Sequence, residues 1–435
     1  MIKKSVSDLT NLKGRILHHR RQFSVLRLRI TVEVLVTIGM ISCFTVTSLA
    51  QSVTTGQVVA LAAEDGTTTH ASPEREAQES NAKLAWYDRI QWSGDFRTRY
   101  EGFYQKDRRG GNRNRGRLRL RLRMDSQINE DTKFQVQVAS GDPGTPVSTN
   151  QTFSSFFRPK PFSLDRAFLS YNPQGASALT LGAGKFGSPQ TRTQLLIDDD
   201  LNFEGAFEQV SWGLSDGISL NLIAMQTAVN EVSRGADSYM LMGYGELSFE
   251  GDRTDFQVSV ADYAWGNPDS IVSGYLDGPL KSILTNVLAR DVQGQVTGYA
   301  SGFNVIDVIA EATVRTNRPG YPLRFLGEFA HNTRAANDYD TGWWFEAEYG
   351  SPRAPHTWGA TYTYGWLQQD LTPSTYVFSD MPGTNVRLNM IETSYVPKAG
   401  LSFDVTLHLT RRLDSPLGDS NNLLARLHVA MVARF

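Results

Sequence analysis

Residues 116–127 read GRLRLRLRMDSQ, and arginine alternates there with a large apolar residue over eight positions. The basic series is Arg117, Arg119, Arg121 and Arg123, and the apolar series is Leu118, Leu120, Leu122 and Met124. A period of two predicts a β-strand, because successive side chains of a strand point to opposite faces of the sheet. One face of this strand must then contact water and the other an apolar medium. A soluble β-sandwich and a membrane β-barrel both provide such surroundings.

The N-terminal 50 residues predict export from the cytoplasm. A basic segment precedes an apolar run, ITVEVLVTIGMISCFTVTSLA, which ends at Ala50. Ser48 and Ala50 are small residues of the kind that a signal peptidase requires, so residues 1–50 are predicted to be a cleaved signal peptide. A retained membrane anchor is the alternative. Residues 51–84 contain too few apolar residues to form a core, and they predict a flexible periplasmic lead-in.

The net charge and the cysteine content limit the classes of function that this protein can have. The predicted signal peptide holds eight of the 43 Lys and Arg residues and two of the 45 Asp and Glu residues, which leaves a net charge of about −8 on the remainder. This charge argues against a nucleic-acid-binding protein. Cys43, the one cysteine of the chain, lies in the signal peptide, so the mature chain is predicted to fold without disulfides.

From residue 85 to the end, segments of about ten residues alternate apolar and polar side chains, and the connections between them alternate short and long. Sixteen strands are predicted, at about 89–104, 113–128, 132–140, 164–172, 178–186, 204–213, 218–226, 238–249, 254–263, 302–316, 321–331, 341–349, 356–367, 387–396, 401–412 and 422–435. Short periplasmic turns, longer outer loops and an even strand count are typical of outer-membrane barrels. We therefore predict that residues 85–435 form an all-β, transmembrane antiparallel barrel of about sixteen strands in the outer membrane.

Two further features bear on this prediction. The third, sixth, tenth and fourteenth predicted strands do not alternate cleanly, which an inserted loop or a neighbouring subunit would explain. The last strand places Leu427, Val429, Met431 and Phe435 on one face. An amphipathic terminal strand that ends in an aromatic residue resembles the signal that the barrel-insertion machinery of the outer membrane reads, so this machinery is a predicted partner.

In a barrel, the arginines of residues 117–123 would line a water-filled lumen while the leucines face lipid. The same basic patch would include Arg97, Arg99 and Lys133 on the adjacent strands. Two acidic groups are candidates to face it: Glu328, Glu346 and Glu348 on the opposite wall, and Asp198, Asp199, Asp200 and Glu204 in the segment IDDDLNFEG. Opposed charges of this kind sort solutes by charge and dipole.

Other interpretations of these charges remain open. The arginines could serve only to hold the acidic loop in place. The run Asp198–Asp200 could instead bind calcium at the surface, since calcium takes carboxylate oxygens. Catalysis is poorly supported, because the chain has no HExxH or Walker-type motif, and the histidines after the leader are His70, His331, His356, His408 and His428. We predict no catalytic residue, no metal site and no cofactor.

A succession of segments over about residues 92–210 resembles the putative porin family of Gram-negative outer membranes. These segments are SGDFRTRYEGF, NRNRGRLRLRLRM, STNQTF, KPFSLDRAFLSY, LTLGAGKF and DDDLNFEGAFEQ. The resemblance implies a sixteen-stranded pore like the general porins, in contact with outer-membrane lipid, with a homotrimer as its assembly. It also implies that the third outer loop, here residues 187–203, folds into the lumen, so that Asp198–Asp200 and the arginines of residues 117–123 line a constriction.

The predicted function is a passive channel for small hydrophilic solutes and ions. The alternative is a closed outer-membrane barrel that acts as an adhesin, an envelope tether or an enzyme.

Overall fold

Sixteen long antiparallel strands form a closed barrel in the part of the chain that the structure describes. This part, in a computed structural model, comprises residues 89–435 except 107–110, 154–155, 234, 277, 279, 281–283 and 415–419. The predicted signal peptide and lead-in, residues 1–84, lie outside the described residues. No helix within those residues is both long and apolar enough to cross a membrane.

The strands are, in chain order, β1 (Ile90–Gln105), β2 (Arg113–Gln127), β3 (Thr132–Ser140), β4 (Gln151–Thr152), β5 (Phe162–Tyr171), β6 (Leu179–Phe186), β7 (Phe203–Ser215), β8 (Ile218–Asn230), β9 (Ser238–Glu250), β10 (Thr254–Gly266), β11 (Leu288–Arg290), β12 (Val296–Tyr299), β13 (Asn304–Val314), β14 (Leu323–Asn332), β15 (Thr341–Tyr349), β16 (Thr357–Leu367), β17 (Val386–Lys398), β18 (Leu401–Arg412) and β19 (Leu424–Arg434). The two-residue β4 pairs with β2, and β11 and β12 form a separate hairpin. The barrel closes where β1 pairs with β19. One α-helix, α1 (Asp269–Leu276), and two 3-10 turns, Gln174–Ala176 and Ser374–Tyr376, lie in the connections between described strands.

The predicted all-β antiparallel barrel with sixteen strands is confirmed, and the predicted strand bounds agree with the observed ones to within four residues. Connections also alternate as predicted. Residues 128–131, 216–217, 251–253 and 399–400 are short turns, whereas residues 187–202, 267–303 and 368–385 are long loops. The sequence did not predict β4, the β11–β12 hairpin or α1, because these elements are too short to show a periodicity.

The two faces of the barrel wall differ in exposure. On β1, the alternating aromatic residues Trp92, Phe96, Tyr100 and Tyr104 are exposed on the outer face. Asp95, Arg99 and Glu101, at the intervening positions of the same strand, are buried on the inner side. An outer face with exposed aromatic and aliphatic side chains is the surface that a membrane barrel presents to lipid.

Much of the buried apolar core is formed jointly by residues of the long loops and residues of the strands. Leu195, Leu371 and Tyr376 of these loops belong to one buried cluster with inner-face residues such as Trp265 and Leu388. The rings of Trp265 and Tyr376 stack with their centroids 5.5 Å apart. These contacts explain why β7, β13 and β17 lack a clean alternation: some of their inner-face residues, such as Phe203, Val305 and Leu388, are apolar because they pack in this cluster instead of facing water.

Candidate functional site

Charged residues of β1 and β2 lie side by side on the inner face. Arg97 pairs in register with Arg119, and Asp95 pairs with Arg121. Like charges on paired positions destabilise a sheet unless opposite charges lie nearby. Asp95 supplies one such charge, since it accepts hydrogen bonds from Arg119 Nε at 2.9 Å and from Arg121 Nε at 2.6 Å.

Glu101 supplies the second negative charge that offsets these arginines. Its side chain is fully buried, and four guanidinium groups surround its carboxylate. The four are Arg99, Arg115 at 2.5 Å, Arg117 at 3.3 Å and Arg426 at 3.4 Å. The sequence analysis did not name Glu101 as a site residue. The alternation of β1 was a usable signal, because it places Glu101 on the same face as Arg97 and Arg99.

Two of the predicted basic residues lie apart from this network. Arg123 pairs with Asp125, two residues further along the same strand, at 2.5 Å. Lys133 is exposed near the short turn at residues 128–131. Neither residue lines the cavity described below.

The three consecutive carboxylates of the predicted acidic loop have different surroundings. Asp200 lies 3.5 Å from Arg121 Nη1 and accepts hydrogen bonds from the backbone and the hydroxyl of Thr149. Asp199 pairs with Arg192 at 3.2 Å, and burial raises its pKa. Asp198 is buried, and this burial together with the charge of Asp200 raises its pKa to about 7. Asp200 is therefore the member of the run that lies within ion-pair distance of the arginine series.

Glu204 does not join these carboxylates. It is the second residue of β7, and its carboxylate pairs with Lys185 at 2.6 Å. The adjacent residue Phe203 and the nearby Phe207 are buried on the inner side, so the alternation of the strand directs Glu204 to the outer face.

The predicted acidic residues of the opposite wall also have partners. Glu328 is buried and accepts a hydrogen bond from the hydroxyl of Thr193 in the 187–202 loop. Arg324, which the sequence analysis did not name, lies 2.8 Å from Glu346 and 3.6 Å from Glu348. This guanidinium offsets part of the negative charge on that wall.

The loop at residues 368–385 contributes a site residue that no sequence pattern marked. Asp380 pairs with Arg426 at 2.7 Å and with Arg99 at 3.3 Å. Burial opposes ionisation of this carboxyl, but the charges of Arg426 and Arg99 outweigh it and hold the pKa of Asp380 well below its usual range. Potential ligand atoms of Asp380, His408 and His428 lie within 4.8 Å of one another. Because two guanidinium groups already neutralise the carboxylate, the geometry favours an ion-pair network over a metal site.

A clasp of two hydrogen bonds joins the loops at residues 187–202 and 368–385. The backbone N–H of Asp198 donates to the carbonyl of Tyr376 at 2.8 Å. In return, the N–H of Ser379 donates to the Asp198 carboxylate at 2.6 Å. The clasp fixes the acidic run of one loop against the segment of the other loop that holds Asp380.

These elements enclose a charged cavity of about 410 Å³. Its basic side comprises Arg97, Arg99 and Arg119 with the counter-charge Asp380, and its acidic side includes Glu348, Glu392 and Asp404. Asp198–Asp200, His408 and His428 also line it. Guanidinium groups and carboxylates thus both line a space large enough for a small hydrophilic molecule.

Residues 109–226 match the model of the family described as putative porin. The resemblance to that family is confirmed. The fold agrees, since OprB of Pseudomonas putida superposes with a TM-score of 0.51 at 11% identity, over 80% of this chain and 94% of that chain. Salmonella typhi OmpF, in a complex with daunomycin, gives a TM-score of 0.47 at 12% identity, over 80% of this chain and 97% of that chain. No curated protein matches the chain in sequence. The family match over residues 109–226 and the likeness in fold to OprB agree with the predicted porin-like barrel.

Proposed function

We propose that this protein is a passive diffusion channel for small hydrophilic solutes and ions, which reaches the outer membrane through a cleaved signal peptide. The observation that carries the proposal is the charged cavity inside a closed barrel with an apolar outer face.

In this proposal the loop at residues 187–202 folds into the lumen and narrows it together with the loop at residues 368–385. Contacts with inner-face residues on several sides of the wall support this arrangement. The Thr191 hydroxyl donates to Glu246 of β9 at 2.9 Å, and the Thr193 hydroxyl donates to Glu328 of β14. On the other side, Asp200 lies near Arg121 of β2. A narrowed lumen limits passage to small solutes.

The arginine series is largely neutralised, so we propose a pore that is nearly unselective or weakly cation-preferring. Arg117 lies next to Glu101, and Arg119 and Arg121 both pair with Asp95. The cavity lining also contains more carboxylates than guanidinium groups. Because counter-charges lie within a few ångströms, the series does not form a continuous path for anions.

Planar-bilayer recording tests the channel function. Purified protein should insert in steps of ohmic conductance and should fractionate with the outer membrane. A correctly folded protein that produces no conductance steps would favour the closed barrel with an adhesive, tethering or enzymatic role.

Replacing both Arg119 and Arg121 with serine should raise the cation-to-anion permeability ratio about twofold, because two positive charges near the solute path are lost. The reversal potential in a salt gradient measures this ratio. Arg123→Ser is the matched control, since Arg123 belongs to the same series but pairs with Asp125 outside the cavity. An unchanged reversal potential in the double variant would show that these arginines do not influence permeating ions.

We also propose a homotrimer, with an outer polar patch on β6–β8 as part of the subunit contact. The patch comprises Lys185, Glu204, Glu208 and Gln226, in two pairs: Lys185 with Glu204 at 2.6 Å, and Gln226 with Glu208 at 3.0 Å. Phe207 and Met225, which neighbour Glu208 and Gln226 in sequence, are buried on the inner side. A charged side chain facing lipid near the middle of a strand costs about 2–3 kcal/mol, and a second copy of this chain would remove that contact with lipid.

Glu208→Lys should therefore convert the trimer to monomers, since it reverses a charge at the proposed contact. Mass determination of the detergent-solubilised protein measures the change. Glu231→Lys makes the same substitution in the exposed loop after β8 and should leave the trimer intact. A trimer that tolerates Glu208→Lys, or a monomeric wild-type protein, contradicts this assignment.

A further inference from the structure

The acidic side of the cavity contains carboxylates that no cation neutralises. Glu392 of β17 is half-buried and lines the cavity, and it has no hydrogen bond or ion pair with any described residue. Its register neighbours Thr361 and Thr406 are uncharged. Asp404 of β18 accepts hydrogen bonds from Ser394 Oγ at 2.6 Å and Ser402 Oγ at 3.2 Å, both neutral donors. A positively charged group of a solute could therefore bind in this part of the cavity.

On the basic side, the guanidinium group of Arg97 likewise lacks a partner of opposite charge among the described residues. Arg97 donates to Asn150 Oδ1 at 2.7 Å, and its Nε is buried without a hydrogen-bond partner. Among the described residues, no carboxylate lies within ion-pair distance of Arg97. The other two arginines of this side differ, because Arg99 pairs with Glu101 and Asp380, and Arg119 pairs with Asp95.

The two unneutralised sides lie close enough for one small molecule to contact both. Arg99 is opposite Ala430 on β19, and Ala430 is opposite Asp404 on β18. Two strand spacings separate β1 from β18, which is about 10 Å along the wall. Arg97 is the next inward-facing residue of β1, about 7 Å from Arg99. The two offsets together place the Cα atoms of Arg97 and Asp404 roughly 12 Å apart on the same stretch of wall, a distance that a small organic molecule can bridge between the two side chains.

Two histidines between these sides add unused hydrogen-bonding atoms. His408 and His428 line the cavity, and each side chain is more than nine-tenths buried. His408 Nδ1 and His428 Nε2 have no hydrogen-bond partner among the described residues. His428 Nε2 lies 3.9 Å from the buried Glu101 carboxylate, so the two imidazoles contribute polar surface to the cavity without a cationic partner for its acidic side.

We propose that the cavity binds small solutes with a carboxylate at one end and an ammonium group at the other. Arg97 would take the carboxylate by paired N–H···O hydrogen bonds, and Glu392 with Asp404 would take the ammonium group. This inference rests on the proposed channel function and names the solute class of its lumen. A zwitterion neutralises both sides at once, whereas a simple cation or anion neutralises one.

Liposome swelling with four five-carbon solutes, each measured against protein-free liposomes, tests the proposal: 5-aminopentanoate, pentanoate, pentylammonium and pentanamide. The wild-type protein should admit 5-aminopentanoate at least about threefold faster than neutral pentanamide. Glu392→Gln should slow 5-aminopentanoate and pentylammonium but not pentanoate. Arg97→Gln should slow 5-aminopentanoate and pentanoate but not pentylammonium.

Glu231→Gln, which removes a carboxylate in the exposed loop after β8, is the matched control and should change none of the four rates. The heat-dependent gel shift of each variant verifies that its barrel is folded. Equal relative rates for all four solutes in the wild type and both cavity variants would overturn the zwitterion site while leaving the channel intact. A folded protein that admits none of the solutes would overturn the channel function itself.

Discussion

Replacing Glu101 with glutamine is expected to lower the free energy of unfolding of the barrel by about 3–5 kcal/mol. The carboxylate is fully buried among Arg99, Arg115, Arg117 and Arg426. Glutamine keeps the shape of the side chain but removes its charge, so four guanidinium groups lose the counter-charge that they share. Removing one partner of a buried ion network leaves uncompensated charges, which is the costly case.

Denaturant unfolding of the refolded protein in detergent measures this loss, and the temperature of the heat-dependent gel shift should fall with it. Asp255→Asn is the control, because Asp255 is a partly exposed residue whose ion-pair partner, Arg315, is half-exposed. A surface ion pair contributes about 0–1 kcal/mol. Equal stabilities of Glu101→Gln and Asp255→Asn would show that the arginines near Glu101 do not depend on its charge.

Replacing Asp380 with alanine is expected to increase the single-channel conductance about twofold and to make the open current noisier. Asp380 connects the loop at residues 368–385 to the wall, through Arg426 on β19 and Arg99 on β1. Without this carboxylate, the segment keeps only the hydrogen bond from Arg426 Nη1 to the Asp380 carbonyl at 2.8 Å among these contacts, so the attachment of the cavity-lining Phe378 and Ser379 to that wall is weakened. The segment can then move away from the solute path, which widens it.

Asp404→Ala is the matched control for this experiment. It removes one negative charge from the same cavity, but Asp404 lies on β18 and accepts hydrogen bonds only from Ser394 and Ser402, so no loop depends on it. A conductance increase of the same size in both variants would indicate an effect of charge alone. No increase in Asp380→Ala would show that the loop holds its position without this ion pair.

The local features of the fold were predictable from the sequence. The arginine and leucine positions of residues 117–124 repeat with a period of two, and this period alone predicts a strand and the face to which each side chain points. The same parity would have assigned Glu101 to the inner face. Turn lengths and strand order were equally accessible, because successive antiparallel strands are neighbours in the barrel.

The position of Glu204 shows where local reasoning failed. Glu204 lies four residues after Asp200, and the sequence analysis therefore grouped it with the loop carboxylates. Because β7 begins at Phe203, the alternation of the strand turns Glu204 to the outer face, where it pairs with Lys185. Closeness in sequence gave the wrong grouping for this residue because the strand boundary lies between the two.

The sequence by itself determined the sixteen strands, their order and the two faces of the wall, because these depend on side-chain periodicity within about ten residues. Only the tertiary structure decided which charges meet inside. Asp380 reaches Arg99 over 281 residues of sequence, and Glu101 reaches Arg426 over 325. Such contacts depend on how the long loops pack against the closed wall, and loop packing has no periodicity that a sequence can display.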